Sequence, residues 1–497
     1  MKQSVAVPLF LFAAILMVGA FAYGMLFVSE IGEVDLQSGG LIVAYAVMAF
    51  GLFVFSYFKL VSARIGLFML LATHVVWFAY PAIRILSDPL RTFGDNAHYR
   101  LAPEVIAKTA LILILFLGLN LVAYFVTVWK PKPMETPDDG LHLRPLVPYM
   151  RFTLPFLVVV GLLPFVIYGN SLGEIVSGIM AGRTTGKAWS HGAHVVSSVG
   201  PIVVIARSAA VTFAALGIWQ YAFRKHFSLT EGQATAIFAM ALLLLLVTYF
   251  DSGTRTWTLL IVAPALFSLL LSRLSRGRLV RGTIVGGVAF IAALALVQIQ
   301  SVYRFQATIN EADASQLLQI DDNDFFTETA IAIDLVPRFG YVEQFEPILY
   351  ITNPIPRFLW ENKPIPMTLR AFSSGRSGFD EYVTTGVSRM PSVVGQYYMS
   401  WGIWGVVGMG LFWGWMMGAF EKLYRRSEPH SLGAFVGILG LVFLFGSGRG
   451  LYPGFHYPLV FGGVLLWLSS RSDEVEFDVL DEDDELGADT HDTRRIA

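Results

Sequence analysis

The chain has 497 residues, of which 55% are hydrophobic and 14% charged, and a formal net charge of −2. Soluble domains carry roughly 25% charged residues, so a mean hydropathy of +0.60 excludes an ordinary soluble enzyme and predicts an all-α, polytopic membrane protein whose exterior is solvated by lipid. The absence of cysteine from the sequence excludes disulfides, cysteine nucleophiles and thiolate metal sites, and no nucleic-acid partner is expected.

Twelve apolar segments are predicted to span the bilayer, near 5–28, 41–58, 65–83, 105–128, 152–169, 199–222, 233–250, 257–272, 282–300, 391–419, 432–446 and 455–469. Most reach the ~17–25 residues that a spanning helix needs. The first follows Lys2, is longer than a signal-peptide core and has no small-residue cleavage site after it, so a retained anchor is expected. This divides the chain into helices 1–9 over 1–300, a long loop over 301–390, helices 10–12 over 391–470, and a tail over 471–497. The tail holds eleven acids against three arginines. It reads as a disordered cytoplasmic segment that carries no chemistry.

Positive charge alternates between the connections. Lys59 and Arg64, Lys130, Lys132 and Arg144, Arg224 and Lys225, Arg273 to Arg281, and Lys422, Arg425 and Arg426 lie on one side. On the opposite side, 29–40 has no Lys or Arg, 251–256 carries only Arg255, and 446–454 only Arg449. The richer side is cytoplasmic by the positive-inside rule, which puts both termini inside and loop 301–390 outside. Such a loop is too long to be a mere link. Its first part, 301–336, has Arg304 and seven acids, and its second part is basic. Short helices are expected within it, with Phe325 to Ile333 as one candidate.

Four stretches carry candidate chemistry. Asp251-Ser-Gly-Thr-Arg255 occupies a short outer connection, where a cation at headgroup depth either snorkels or finds an anion. Asn353-Pro-Ile-Pro-Arg357-Phe-Leu-Trp360-Glu-Asn-Lys363-Pro364 has three prolines, which forbid a regular helix and stiffen the frame that presents Arg357, Trp360 and Lys363. Arg357 there faces a diphosphate or pairs with Glu361. Ser373-Ser-Gly-Arg376-Ser-Gly378 flanks an arginine with glycines beside Asp380 and Glu381, as a ligand loop or a flexible surface turn. Gly446-Ser-Gly-Arg449-Gly-Leu-Tyr-Pro-Gly454 is either a hairpin or a backbone that approaches an anion closely. Arg304 pairs with neighbouring acids or supports this set.

Other signals are weaker. His191 and His194 have no third ligand and read as a polar loop. Asp322-Asn-Asp324 reads as a solvated acidic turn. Gly410, Gly414 and Gly418 form a small-residue helix-packing face. No Walker loop, HExxH or Gly-x-Ser-x-Gly occurs, so ATP hydrolysis and ordinary hydrolase chemistry have no support.

Through Asp251 to Arg255, Ile355 to Pro364, and Ser388 to Gly408 with its Trp401-Gly-Ile-Trp-Gly405 run, the chain resembles the Wzy-type polymerases of oligosaccharide repeat units. The topological likeness covers nearly all of residues 1–470. The chain departs from members that repeat a spaced arginine–glycine pair in two outer loops. The resemblance implies a metal-independent membrane glycosyltransferase in the bacterial cytoplasmic membrane, without a cofactor. Its substrates would be polyprenyl-diphosphate-linked oligosaccharides, and a flippase and a chain-length regulator would be its protein partners. Arg255, Arg357 and Arg376 would act at the diphosphate, with Asp380 and Glu381 as candidate bases, and Arg304, Trp360, Lys363 and Arg449 would bind substrate. An O-antigen ligase of the same architecture and a lipid-linked oligosaccharide flippase remain the alternatives; a flippase would favour a midplane site, whereas these cations cluster at the outer end.

Reporter fusions at Asn310 and after Arg471 test the orientation. Opposite compartments are expected, and a shared compartment would rule out the twelve-span arrangement.

Overall fold

The computed structural model describes residues 36–60, 64–87, 101–128, 200–226, 230–252, 255–274, 324–342, 347–352, 390–427, 431–451 and 456–467, with isolated positions at 173 and between 355 and 372. All of its regular elements are helical, and no strand occurs among the described residues. In chain order they are α1 (Leu36–Leu60), α2 (Ile65–His74, continued by a π-helical turn Val75–Ala79 and by Tyr80–Ser87), α3 (Pro103–Val128), α4 (Gly200–Ala222), α5 (Glu231–Ser252), α6 (Arg255–Leu274), α7 (Phe325–Phe339), α8 (Pro347–Thr352), α9 (Ser392–Arg426), α10 (Leu432–Ser447) and α11 (Tyr457–Trp467).

Four stretches are long and apolar enough to cross a membrane: Ser38–Ser56, Ile65–Ile83, Pro103–Val128 and Ser392–Arg426. Shorter apolar helices cover Glu231–Leu246, Trp257–Ser268, Leu432–Ser447 and Tyr457–Trp467. These elements fall on the segments expected near 41–58, 65–83, 105–128, 199–222, 233–250, 257–272, 391–419, 432–446 and 455–469. The segments near 5–28, 152–169 and 282–300, and the acidic tail, lie outside the described residues.

The closest crossing in the bundle joins α9 to α3. A Cβ on Gly410 would stand 3.0 Å from the Leu119 side chain, one on Gly418 would stand 2.8 Å from Thr127, and one on Gly414 would collide with the Asn120 backbone. Small residues at four-residue spacing let two helix backbones meet when apolar burial alone does not drive helices together in lipid. The expected packing face is therefore present, and its partner is α3.

Two groups of polar side chains inside this apolar bundle link its helices by hydrogen bonds. The Asn120 amide nitrogen lies 3.0 Å from His74 Nε2, and His74 Nδ1 lies 3.0 Å from Tyr45 Oη. This chain ties α3, α2 and α1 together, and the π turn begins at the next residue, Val75. Toward the other end of α9, Glu421 is fully buried. Tyr124 Oη donates to its Oε2 at 2.5 Å and the Gly66 amide at 2.9 Å, while Arg64 and Arg425 approach Oε1 at 3.5 and 3.7 Å. A buried carboxylate persists only with such a set of donors and cations.

Helix α9 extends past the expected end near 419, to Arg426, and kinks at Trp401 and Gly402. Gly402 adopts φ 60°, ψ −142°, in the left-handed half of the map, where a side chain would be strained. Helix α7 is also longer than expected, running to Phe339. Its N-cap Asp324 accepts from the Thr327 amide at 3.0 Å and is buried, which corrects the expectation of a solvated acidic turn. The same carboxylate that would be hydrated in a free loop here satisfies a buried helix N-terminus.

Gly414→Ala should lower the thermal midpoint in detergent, by an overpacking penalty of about 1–3 kcal/mol. Gly408→Ala serves as the control, because a Cβ there meets nothing within 4 Å, and its midpoint should be unchanged or raised.

Candidate functional site

The described structure gathers its best-built polar loop around Arg449. Helix α10 ends at Ser447, and the chain turns through Gly448 to Leu451. Two glycines make the turn possible. A Cβ on Gly448 would lie 2.6 Å from the Thr73 side chain and 2.8 Å from Trp77, so the backbone sits hard against α2. Gly450 takes φ 137°, and a Cβ there would stand 2.8 Å from Met390 Sδ. Arg449 is the residue between them.

The turn is clamped from α9. The Gln396 side-chain amide donates to the Leu451 carbonyl at 2.9 Å, and its oxygen accepts from the Leu451 amide at 2.9 Å. One side chain thus satisfies both backbone groups of Leu451, as a neighbouring strand would. The Val393 amide adds a bond to the Gly448 carbonyl at 3.2 Å. The first turn of α9 is itself held by Ser392, a non-glycine residue at φ 65°. Its hydroxyl accepts from the Gly395 amide at 3.0 Å and lies 2.7 Å from the Thr329 hydroxyl of α7. From the other side, Tyr350 Oη donates to the Leu451 carbonyl at 3.4 Å, and the Tyr350 carbonyl accepts from His456 Nε2 at 3.0 Å.

An aromatic wall underlies the arginine. Its guanidinium carbon stands 5.7 Å from the centroid of the Phe325 ring, which meets Trp77 edge-on at 5.6 Å. Trp77 Nε1 donates to the Phe445 carbonyl at 2.7 Å. The half-buried guanidinium is planar, permanently charged and weakly hydrated, which suits it to lie on a ring face while its other face meets an anion. The wall is built from α2, α7 and α10 together.

Helix packing sets the level of Arg255. Trp219, late in α4, donates to Ser268 near the end of α6 at 3.3 Å, and its ring meets that of Phe435 at the start of α10 at a tilt, with centroids 5.5 Å apart. The last turns of α4 and α6 therefore lie beside the first turn of α10. It follows that Arg255, the first residue of α6, is at the same end of the bundle as Arg449. The cluster of Arg64, Glu421 and Arg425 lies at the opposite end of α9.

Of the other expected site residues, Trp360 is described, in a non-helical stretch, and is exposed. Arg304, Arg357, Lys363, Arg376, Asp380 and Glu381 lie outside the described residues, as do His191 and His194. Among the described residues, no group of three or more His, Cys, Asp or Glu side chains could hold a metal ion. The sequence reading passed over Gln396, Trp77, Phe325, Tyr350 and His456. Gln396 alone had a legible signal, as the one amide in the run Val393-Val-Gly-Gln-Tyr-Tyr-Met399.

In comparisons with known proteins, the chain matches no family model, no curated protein and no solved structure. What defines its class is therefore its own architecture, an all-helical bundle with helices long and apolar enough to cross a membrane.

Gln396→Ala strips the Leu451 amide of its partner and leaves the Leu451 carbonyl with only the 3.4 Å bond from Tyr350 Oη, and a buried group left unsatisfied costs about 1–3 kcal/mol. A marked drop in thermal midpoint is expected. Lys108→Ala, which removes an exposed cation 5.4 Å over the Tyr398 ring, should cost about 1 kcal/mol at most. Equal losses for the two variants would contradict the clamp.

Proposed function

We propose that the chain is a polymerase of lipid-linked oligosaccharide repeat units, working at the outer face of the bacterial cytoplasmic membrane as a twelve-span protein. The observation that carries this reading is the Arg449 turn. A guanidinium on an aromatic wall, in a loop fixed by Gln396, lies at the same end of the bundle as Arg255. Two arginines at one end of the bundle suit a diphosphate better than a neutral sugar. The abundance of cations at the opposite end (Arg64, Arg224, Lys225, Lys422, Arg425 and Arg426) supports placing that end in the cytoplasm.

In this reading the donor is a growing glycan on a polyprenyl diphosphate, and the acceptor is a single lipid-linked repeat unit. A sugar hydroxyl of the acceptor attacks the anomeric carbon of the donor. The new C–O bond forms as the bond to the diphosphate breaks, and the electron pair leaves on the phosphate oxygen. The hydroxyl proton passes to a base, for which Asp380 and Glu381 are the candidates. The catalytic requirement is to stabilise charge growing on the leaving diphosphate, which fixed guanidinium groups in a partly dry site do without reorganising. Arg449 offers such a group in the described part of the chain, and Arg255, with Arg357, Lys363 and Arg376 from the long loop and Arg304 in support, would complete the clamp. Trp360 would offer a ring face to a sugar.

Loss of one such contact corresponds to about 2.7–4 kcal/mol, or roughly a hundredfold to a thousandfold in rate. Arg449→Ala and Arg357→Ala should each fall in that range in a polymerisation assay on folded protein. Arg357→Lys should do nearly as badly, because lysine keeps the charge and loses the fork. In cells, the same variants should accumulate single lipid-linked repeat units on the outer face. Loss of outward exposure of those units would instead identify a flippase, and intact polymer that fails to reach lipid A would identify a ligase.

A further inference from the structure

Exposure along α9 changes abruptly at its kink. Every residue from Ser392 to Ser400 is buried by protein, whereas Trp401, Ile403 and Trp404 are exposed, Trp404 by 77%. From Gly402 to Lys422 the helix rises about 30 Å, which equals the thickness of a hydrocarbon core. With Lys422, Arg425 and Arg426 at one boundary of the bilayer, the kink falls at the other. Exposed tryptophans at that level match the aromatic belt of a membrane protein.

The chain between α7 and residue 360 carries further exposed apolar side chains. Tyr341 packs on the kink: a Cβ on Gly402 would lie 2.8 Å from its hydroxyl, and the neighbouring Val342 amide donates to the Met399 carbonyl at 2.9 Å. Tyr341 is nevertheless exposed. In α8, Leu349 and Thr352 face inward and are buried, while Ile348 and Ile351, also three residues apart, face outward, Ile351 by 77%. A short helix with an apolar residue on each face is not built for water. After a turn closed by the Ile355 amide on the Thr352 carbonyl at 3.0 Å, Leu359 and Trp360 are exposed by 69% and 37%. Scattered exposed apolar residues are common on soluble surfaces, but the concentration of large ones at Tyr341, Ile348, Ile351, Leu359 and Trp360 marks an interaction surface.

We propose that Tyr341, the Ile348–Ile351 edge of α8 and Leu359–Trp360 form a lipid-docking surface, inserted at the headgroup–acyl boundary of the bilayer that α9 crosses. The occupant is lipid because Tyr341 lies on the kink where α9 meets the boundary, and α8 is tied through Tyr350 to Leu451, which Gln396 holds six residues before that kink. Aromatic and aliphatic side chains projecting a few ångströms below the headgroups are how interfacial segments bind. The tether of Tyr350 to Leu451 and His456 then couples this docked edge to the Arg449 turn. The inference does not depend on the catalytic reading and fails or holds separately from it.

The sequence contains no cysteine, so single-cysteine variants can be spin-labelled without background. In liposomes of phosphatidylethanolamine and phosphatidylglycerol, nitroxide labels on Ile351→Cys and Leu359→Cys should be more accessible to oxygen than to an aqueous nickel chelate. They should resemble Val126→Cys, at an exposed position on α3, and differ from Glu231→Cys, at an exposed charged position. A Glu231-like profile at both sites would overturn the proposal. So would protection from both reagents, which would mean that a second copy of the chain or another protein covers the surface. Elution of each labelled variant at the wild-type volume establishes that it is folded.

Discussion

The close approach of α9 to α3 through Gly410, Gly414 and Gly418 is the constraint on which the described bundle rests. Two helix backbones in lipid gain little from burying leucine against leucine, because lipid is as apolar as the partner helix. They gain from van der Waals contact at short range and from hydrogen bonds. The glycines supply the range. They also fix which α3 residues stand at the crossing: Asn120 opposite Gly414, with Tyr124 and Thr127 opposite Gly418.

The bonds made by those residues follow from that register. Asn120 reaches His74, and through it Tyr45, while Tyr124 reaches the buried Glu421. Each link is polar, buried and shared between helices, so a helix that slid by one turn would leave its groups without partners in an apolar medium. Such groups contribute specificity of register more than net stability, because desolvation offsets much of what pairing returns. The Glu421 carboxylate illustrates the balance: burial opposes its charge, and Arg64, Arg425, Tyr124 and the Gly66 amide together hold it.

At the other end of α9 the same economy builds a site rather than a seam. Gln396, buried in the first turns of the helix, fixes Leu451 by both backbone groups, so Arg449 is presented from a turn with little freedom. The kink at Gly402 separates the buried first turns of α9 from a part whose Trp401, Ile403 and Trp404 are exposed.

The sequence by itself determined the helical class, the positions of the apolar helices and the glycine packing face. These depend on local composition and on spacing along one helix, both of which survive without knowledge of partners. It also singled out Arg255 and Arg449, because an arginine in a short connection between apolar runs is conspicuous on hydropathy alone. Only the tertiary structure decided that these two arginines share one end of the bundle, since that follows from Trp219 meeting Ser268 and Phe435 across three helices. It likewise decided that Asp324 caps a buried helix end and that Glu421 closes a four-donor cluster. A carboxylate reads as solvated until its neighbours are known, and those neighbours are set by helix register, which no single segment encodes. Gln396 belongs to the same kind: its amide mattered only once the crossing of α9 and α10 had brought Leu451 within reach of both its atoms.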